Sequence, residues 1–272
     1  MSAVLEAGAE AGVKVMLNYV HPSSAGKIHY QFNMGDSTLV FDPHEVRVHD
    51  GRARDWDLET DALALVRSPA PDIDYYDEDE AKRVYWPQTV AMLKELTGAD
   101  HVVMFNGVAR TEGENPRSAR APARNPHVDF NEASYHIFAC EALGEEEAER
   151  RLKGRFMGVN IWRPIKTVEA TPLALCQSST VAPEDLIQGM LAKAKGEPLS
   201  PVQGYNLAHN PAHRWWYFPR LKPDEALVFK ICDSDHSRSQ WTPHTAIDDP
   251  TVRAGAPPRE SYECRAICFW NP

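Results

Sequence analysis

The chain has 272 residues, of which 43% are hydrophobic and 25% charged, an ordinary globular balance that argues against disorder. Its 39 acidic and 29 basic residues leave a formal net charge of −10, which repels polyanions at long range and argues against nucleic acid or an anionic membrane as partner. No stretch approaches the roughly 20 apolar residues of a bilayer crossing, the N-terminus has no secretory pattern, and five cysteines without a C-x-x-C spacing suit a reduced, cytoplasmic protein.

In chain order, Val13–Val20, Thr38–Phe41 and Glu45–His49 alternate at period two and are predicted strands. Residues Asp57–Val66 are predicted as a strand followed by a short helix, and Ser68–Asp74 as a Pro/Asp loop. A helix is predicted over Glu78–Thr97, with acidic residues at its start, Val90, Leu93 and Leu96 on one face, and Gly98 as a stop. Pro87 interrupts it, predicting two helices or one kinked helix. His101–Phe105 is a predicted strand, the basic segment Arg110–Arg124 either a surface loop or the border of a site mouth that recruits an anionic ligand, and Glu141–Arg155 a charged helix with a solvated face. Beyond Phe156 the pattern is mostly β: Phe156–Ile165, Pro172–Val181, His213–Phe218, Ala226–Asp233 and Ser261–Trp270, separated by Pro-bearing turns. Many short strands with few helices predict one domain over residues 1–272, a mainly β sandwich or barrel with flanking helices.

The chemistry begins at His127-Val128-Asp129. On a strand, residues two apart point to one face, so an imidazole and a carboxylate converge as two thirds of the 2-His-1-carboxylate arrangement that holds ferrous iron with open positions. With 11 histidines in the chain, such a spacing arises by chance about as often as not, and the pair alone does not decide. A second imidazole is needed, from His209, His213, His236 or His244. His213 opens an aromatic strand and reads as a packed core residue, whereas His209 and His236 lie in polar loops and are expected to face water. His244 is followed by Arg259-Glu260-Ser261-Tyr262-Glu263-Cys264-Arg265, in which Arg259, Ser261, Glu263 and Arg265 share a face. A guanidinium binds a carboxylate through two parallel bonds, and a hydroxyl two residues on adds a donor, as a dicarboxylate cosubstrate requires. The alternative is a set of edge-strand charges that prevent aggregation.

The ordered set His127-Val128-Asp129, Asn160-Ile161-Trp162-Arg163-Pro164, Pro172-Leu173-Ala174-Leu175-Cys176, His213–Phe218, His244-Thr245-Ala246 and Pro258-Arg259-Glu260-Ser261 resembles the AsaB-like and CmcJ-like hydroxylase/desaturase family, which includes gibberellin desaturase-like proteins, within the Fe(II)/2-oxoglutarate-dependent oxygenases. The resemblance spans about Val46 to Phe269. It implies a double-stranded β-helix (jelly-roll, cupin-like) core. It implies Fe(II), 2-oxoglutarate and O2 as metal and cosubstrates, with His127, Asp129 and His244 as iron ligands. Arg259 then resembles the arginine that holds the distal carboxylate of 2-oxoglutarate, with Ser261 as its helper and Arg265 as a second carboxylate contact. Asn160 and Trp162 resemble pocket residues. Phe130 and Ile247 depart from the family pattern and bear on the substrate pocket. The implied function is oxidation of an unactivated C–H of a small molecule by hydroxylation, desaturation or ring formation, in specialised metabolism. Two other readings stay open on the residues: a non-catalytic cupin-type binding protein, and a metal-dependent dioxygenase or isomerase without 2-oxoglutarate.

Overall fold

A computed structural model describes residues 12–30, 34–113, 115, 117 and 120–271. The N-terminal residues 1–11 and parts of the basic segment, residues 114, 116, 118 and 119, lie outside the described residues. The architecture is a jelly roll: two sheets face each other, and helices cover the outer face of the smaller one.

The larger sheet contains β1 (Gly12–Val20), β3 (Phe41–Asp50), β12 (Trp215–Tyr217), β8 (Leu173–Cys176), β14 (His244–Ala246), β6 (His127–Val128), β11 (Tyr205–Leu207) and β9 (Leu186–Gln188), in that lateral order. The smaller sheet runs β4 (Leu63–Arg67), β13 (Glu225–Asp233), β7 (Phe156–Pro164), β15 (Glu260–Phe269) and β5 (His101–Thr111), all antiparallel. A two-stranded parallel ribbon joins β2 (Ile28–Tyr30) to β10 (Met190–Ala192).

Alternation decides what each strand buries. In β1, Val13, Val15, Leu17 and Tyr19 turn inward while Lys14, Met16 and Asn18 stay in solvent, as a strand with one wet face requires. Strands β7 and β15 are buried on both faces. Met157, Val159, Ile161, Cys264 and Cys268 pack with Tyr85 and Leu93 of the covering helix. Phe156, Trp162, Ile267 and Phe269 join Leu173 and Leu175 between the sheets. The odd-numbered residues 259, 261, 263 and 265 therefore face the sandwich interior rather than the helix layer.

The helix over 78–97 forms as predicted, with Asp77 accepting from Asp79 N and Glu80 N at its start. Residues Ala81–Tyr85 make a π-turn immediately before α1 (Trp86–Thr97); Pro87, which has no N–H to give, sits in the first turn of α1, where none is needed. Gly98 closes the helix in the left-handed region at φ 67°.

Several local readings change. Thr38–Val40 is not a strand, because its backbone is taken up by the turn: Thr38 N donates to Ile28 O and Val40 N to Ser24 Oγ. Asp57–Val66 is a turn followed by a strand, the reverse of the expected order, because the Asp57 carboxylate accepts from Glu59 N and Thr60 N and nucleates the turn. An unexpected helix, α2 (Glu132–Leu143), capped by Asn131, runs up to Gly144, and the charged helix is shortened to α3 (Glu145–Leu152). Helix α2 lacks a one-sided apolar stripe, since His136, Phe138, Cys140 and Leu143 spread around it; periodicity therefore missed it. All five cysteines are free thiols. No described helix is long and apolar enough to cross a membrane.

Candidate active site

Strands β6 and β14 are neighbours in the larger sheet, and His244 is the direct partner of His127 in their register. Cross-strand partners project from the same face with Cβ atoms roughly 5 Å apart, and the two rings lie with centroids 4.5 Å apart. Asp129, just past the end of β6, turns its carboxylate toward both: Oδ1 is 3.6 Å from His127 Nε2 and 3.7 Å from His244 Nε2. One ligand atom from each of His127, Asp129 and His244 lies within 4.8 Å of the others, the sole cluster of this kind among the described residues.

The donor set fits a divalent metal. His127 Nδ1 bonds Asn125 O at 2.8 Å and His244 Nδ1 bonds Thr242 O at 3.2 Å. A carbonyl only accepts, so each Nδ1 carries the proton and each Nε2 offers its lone pair to the centre. His244 is buried, and burial pushes its pKa down to about 4, the Asp129 charge opposing only in part. The neutral, ligating form thus prevails at neutral pH. Burial alone would raise the pKa of Asp129, but Arg265, His244 and His127 together hold it well below the usual carboxylate range.

The smaller sheet supplies the opposite wall. Asn160, Arg265 and Asn106 occupy one lateral rung of β7, β15 and β5. Asn160 Nδ2 donates to Asp129 Oδ2 at 2.9 Å. Arg265 donates through Nε to Oδ2 at 3.0 Å and through Nη2 to Oδ1 at 3.1 Å, while its Nη1 reaches Asn106 Oδ1 at 2.7 Å. Arg265 also contacts Glu263 Oε1 at 2.8 Å, so its guanidinium is committed to protein groups.

Arg259 is placed differently. It lies just before β15, its guanidinium 5.4 Å from the Trp162 ring centre. It lines a cleft together with His127, His244, Trp162, Leu173 and Ala123. Its Nη1 donates to Thr171 O at 2.9 Å, but its Nε and Ser261 Oγ are buried without a hydrogen-bond partner among the described residues. Burial with too few partners pushes the Arg259 pKa down to about 10. Unpartnered buried donors are rare and call for an acceptor. A carboxylate brought into this cleft supplies one. Asn160 Oδ1 is likewise buried without a partner among the described residues.

The three other candidate histidines separate from the site. The His213 side chain is buried, its Nε2 3.1 Å from Asp185 Oδ2, in a packed position. His236 is exposed beside Glu132. His209, expected in solvent, is half-buried and stacks on His44 with ring centroids 3.6 Å apart. Phe130 lies against the Arg265 guanidinium, and Ile247 is buried in the core under the larger sheet.

Sequence reasoning missed Asn106, and it gave Arg110 and Ala123 only as part of a segment that could border the site mouth; both line the cleft with Leu173. Arg110 belongs to β5 rather than to a surface loop: its Nε donates to Glu263 Oε1 at 2.7 Å and its Nη1 to Ala121 O at 2.9 Å. Ala123 is fixed over the cleft because its carbonyl accepts from Ala246 N at 2.8 Å. Asn106 is exposed, so burial gave no signal for it; it is found through its bond to Arg265.

The family model YDMC, described as an oxidoreductase/YMDC permease-like domain, matches residues 17–269. The chain is 32% identical over 268 residues, 96% of its own length and 93% of the relative's, to the Fe(II)/2-oxoglutarate-dependent dioxygenase nvfI of Aspergillus novofumigatus. It is 37% identical over 157 residues, 53% of its length and 68% of the relative's, to the hydroxylase/desaturase asaB of Aspergillus flavus. The solved structure of the iron and alpha-ketoglutarate-dependent endoperoxidase NvfI superposes with a TM-score of 0.86 at 28% identity, covering 97% of this chain and all of that one.

Proposed function

Because the chain belongs to the AsaB-like hydroxylase/desaturase family of Fe(II)/2-oxoglutarate-dependent oxygenases, we propose that it oxidises an unactivated C–H of an organic small molecule, coupled to consumption of O2 and 2-oxoglutarate. The observation that carries this is the convergence of two Nε2 lone pairs and the Asp129 carboxylate on one point, beside a cleft where the buried Arg259 Nε has no acceptor among the described residues. When bound, ferrous iron supplies the oxygen activation that no side chain can perform.

The chain's residues do the rest. His127, Asp129 and His244 would hold the metal. Arg259 and Ser261 receive the distal carboxylate of 2-oxoglutarate: an arginine fork meets a carboxylate through two bonds, and the charge it neutralises compensates its own burial. Trp162 forms the cleft wall beside this guanidinium. Asn160 and Arg265 orient Asp129 rather than touch the cosubstrate. Buried aromatic and aliphatic walls exclude water that would quench a reactive species. The activity belongs to specialised metabolism, as for the fungal relatives, and we place it in the cytoplasm, where free cysteines persist.

Anaerobic addition of Fe(II) and 2-oxoglutarate should develop a weak visible metal-to-ligand absorption, absent from Asp129→Ala. Admission of O2 with substrate should release succinate. A protein that binds Fe(II) equally well with and without Asp129, or develops no such band, is not this enzyme.

A further inference from the structure

Glu263 presents a puzzle that the proposed activity does not resolve. It is a buried carboxylate on the wall of the cleft, where an entering dianion is repelled by it. Its Oε1 accepts from two guanidinium groups at once, Arg110 Nε at 2.7 Å and Arg265 Nη2 at 2.8 Å. That same Arg265 Nη2 is 3.1 Å from Asp129 Oδ1.

The two oxygens of Asp129 are not equivalent. Oδ2 is anchored by Asn160 Nδ2 and Arg265 Nε. Oδ1 is the oxygen that the two Nε2 atoms face at 3.6 and 3.7 Å. Its one close side-chain donor among the described residues is the Arg265 Nη2 that Glu263 holds at the shorter distance. A cation that closes fully on Oδ1 competes with a metal for the same lone pairs, whereas one drawn toward a second anion competes less.

We propose that Glu263 is a positioning residue for the metal site: by retaining Arg265 Nη2 it keeps Asp129 Oδ1 available as a ligand, while Arg110 holds Glu263 in place from the other side. The inference rests on the reading that His127, Asp129 and His244 bind Fe(II). Arg110 extends the arrangement to the wall of the cleft, since it also donates to Ala121 O in the segment that carries Ala123. Groups that orient a ligand from outside the coordination sphere change metal affinity by about 10–100-fold when removed.

The test is anaerobic Fe(II) titration of the metal-free protein in competition with a chromophoric chelator, followed by 2-oxoglutarate titration at saturating Fe(II). Glu263→Gln should lower Fe(II) affinity about 10–100-fold while 2-oxoglutarate binds at least as tightly as in wild type, because the cleft has lost a negative charge. Arg265→Lys should also weaken Fe(II) binding, and adding E263Q to it should cause little further loss, since Glu263 acts through Arg265. A crystal structure of metal-free E263Q should show Nη2 closer to Oδ1. Unchanged Fe(II) affinity in E263Q, equal weakening of both ligands, or fully additive losses in the double variant would overturn the proposal. If E263Q does not accumulate folded, Glu263→Asp, which withdraws the oxygens by one methylene, carries the same cycle. Asp129→Ala binding Fe(II) like wild type would sink the metal reading itself, independently of Glu263.

Discussion

His244 and His127 are direct cross-strand partners, one on β14 and one on β6, with ring centroids 4.5 Å apart. Sheet register, not loop placement, gathers the two imidazoles, and a slip of one residue would turn one of them to the opposite face. Alanine at either position should abolish Fe(II)-dependent turnover and leave a folded protein. His213→Ala should instead retain iron and lose about 1–3 kcal/mol of stability, because it removes a buried partner of Asp185. Metal analysis and thermal unfolding of the three variants separate these outcomes; loss of iron from His213→Ala with iron retained in His244→Ala would exchange their roles.

Arg259 is a buried cation whose Nε has no partner among the described residues, so it burdens the cosubstrate-free fold. Arg259→Met should weaken 2-oxoglutarate binding by at least about tenfold, the loss expected when a charge-assisted bond worth 1.5–3 kcal/mol is removed. Fe(II) binding should persist. The unfolding temperature without 2-oxoglutarate should be unchanged or higher, since no buried charge remains to be desolvated. Calorimetric titration together with melting curves reads both effects, and a destabilised variant with normal 2-oxoglutarate affinity would refute the assignment.

Gly204 permits a close approach of backbones beside the metal site. A Cβ there would stand 2.4 Å from both Val128 O and Asp129 O, and these are backbone atoms that cannot swing aside. Gly204→Ala should destabilise the protein by about 1–3 kcal/mol through overpacking and should weaken Fe(II) binding, because the displaced segment carries His127 and Asp129. Denaturant melts and metal titration measure the two losses; normal Fe(II) affinity in a destabilised variant would show that the strain relaxes away from the ligands.

Acid sensitivity has a source remote from the metal. Burial tends to raise the pKa of Glu59, but Arg155, Lys230 and Arg238 outweigh it and bring the value down to about 2. A carboxylate with a folded pKa below its unfolded value near 4.5 contributes stability that is present above 4.5 and is lost as pH falls from there toward 2. Glu59→Gln should therefore be less stable than wild type at pH 7, with the difference shrinking across that window. Melting temperatures at a series of pH values test the convergence, and a constant offset down to acid pH would exclude this source.

Much of the fold was legible because strands announce themselves locally. Phe156–Pro164, Glu225–Asp233 and Glu260–Phe269 are long runs rich in β-branched, aromatic and cysteine residues bounded by turn residues, and they became the centre of the smaller sheet. The short strands β2, β9, β10 and β11, three residues each, were not legible, since three residues carry too little periodicity to stand out. Arg265 is the instructive residue of the site. Spacing places it on the face of Arg259, but spacing cannot show that its guanidinium is engaged by Asp129 and Glu263.

The order of residues by itself determined which side chains share a face: His127 with Asp129, and Arg259 with Ser261, Glu263 and Arg265, because a strand alternates every two residues whatever surrounds it. Only the tertiary structure decided which of these faces meet and which histidine completes the trio. Register between strands over a hundred residues apart in the chain places Asn106, Asn160 and Arg265 on one rung opposite Asp129. Such pairings are fixed by the burial of whole sheets against each other, a property no local stretch of sequence contains.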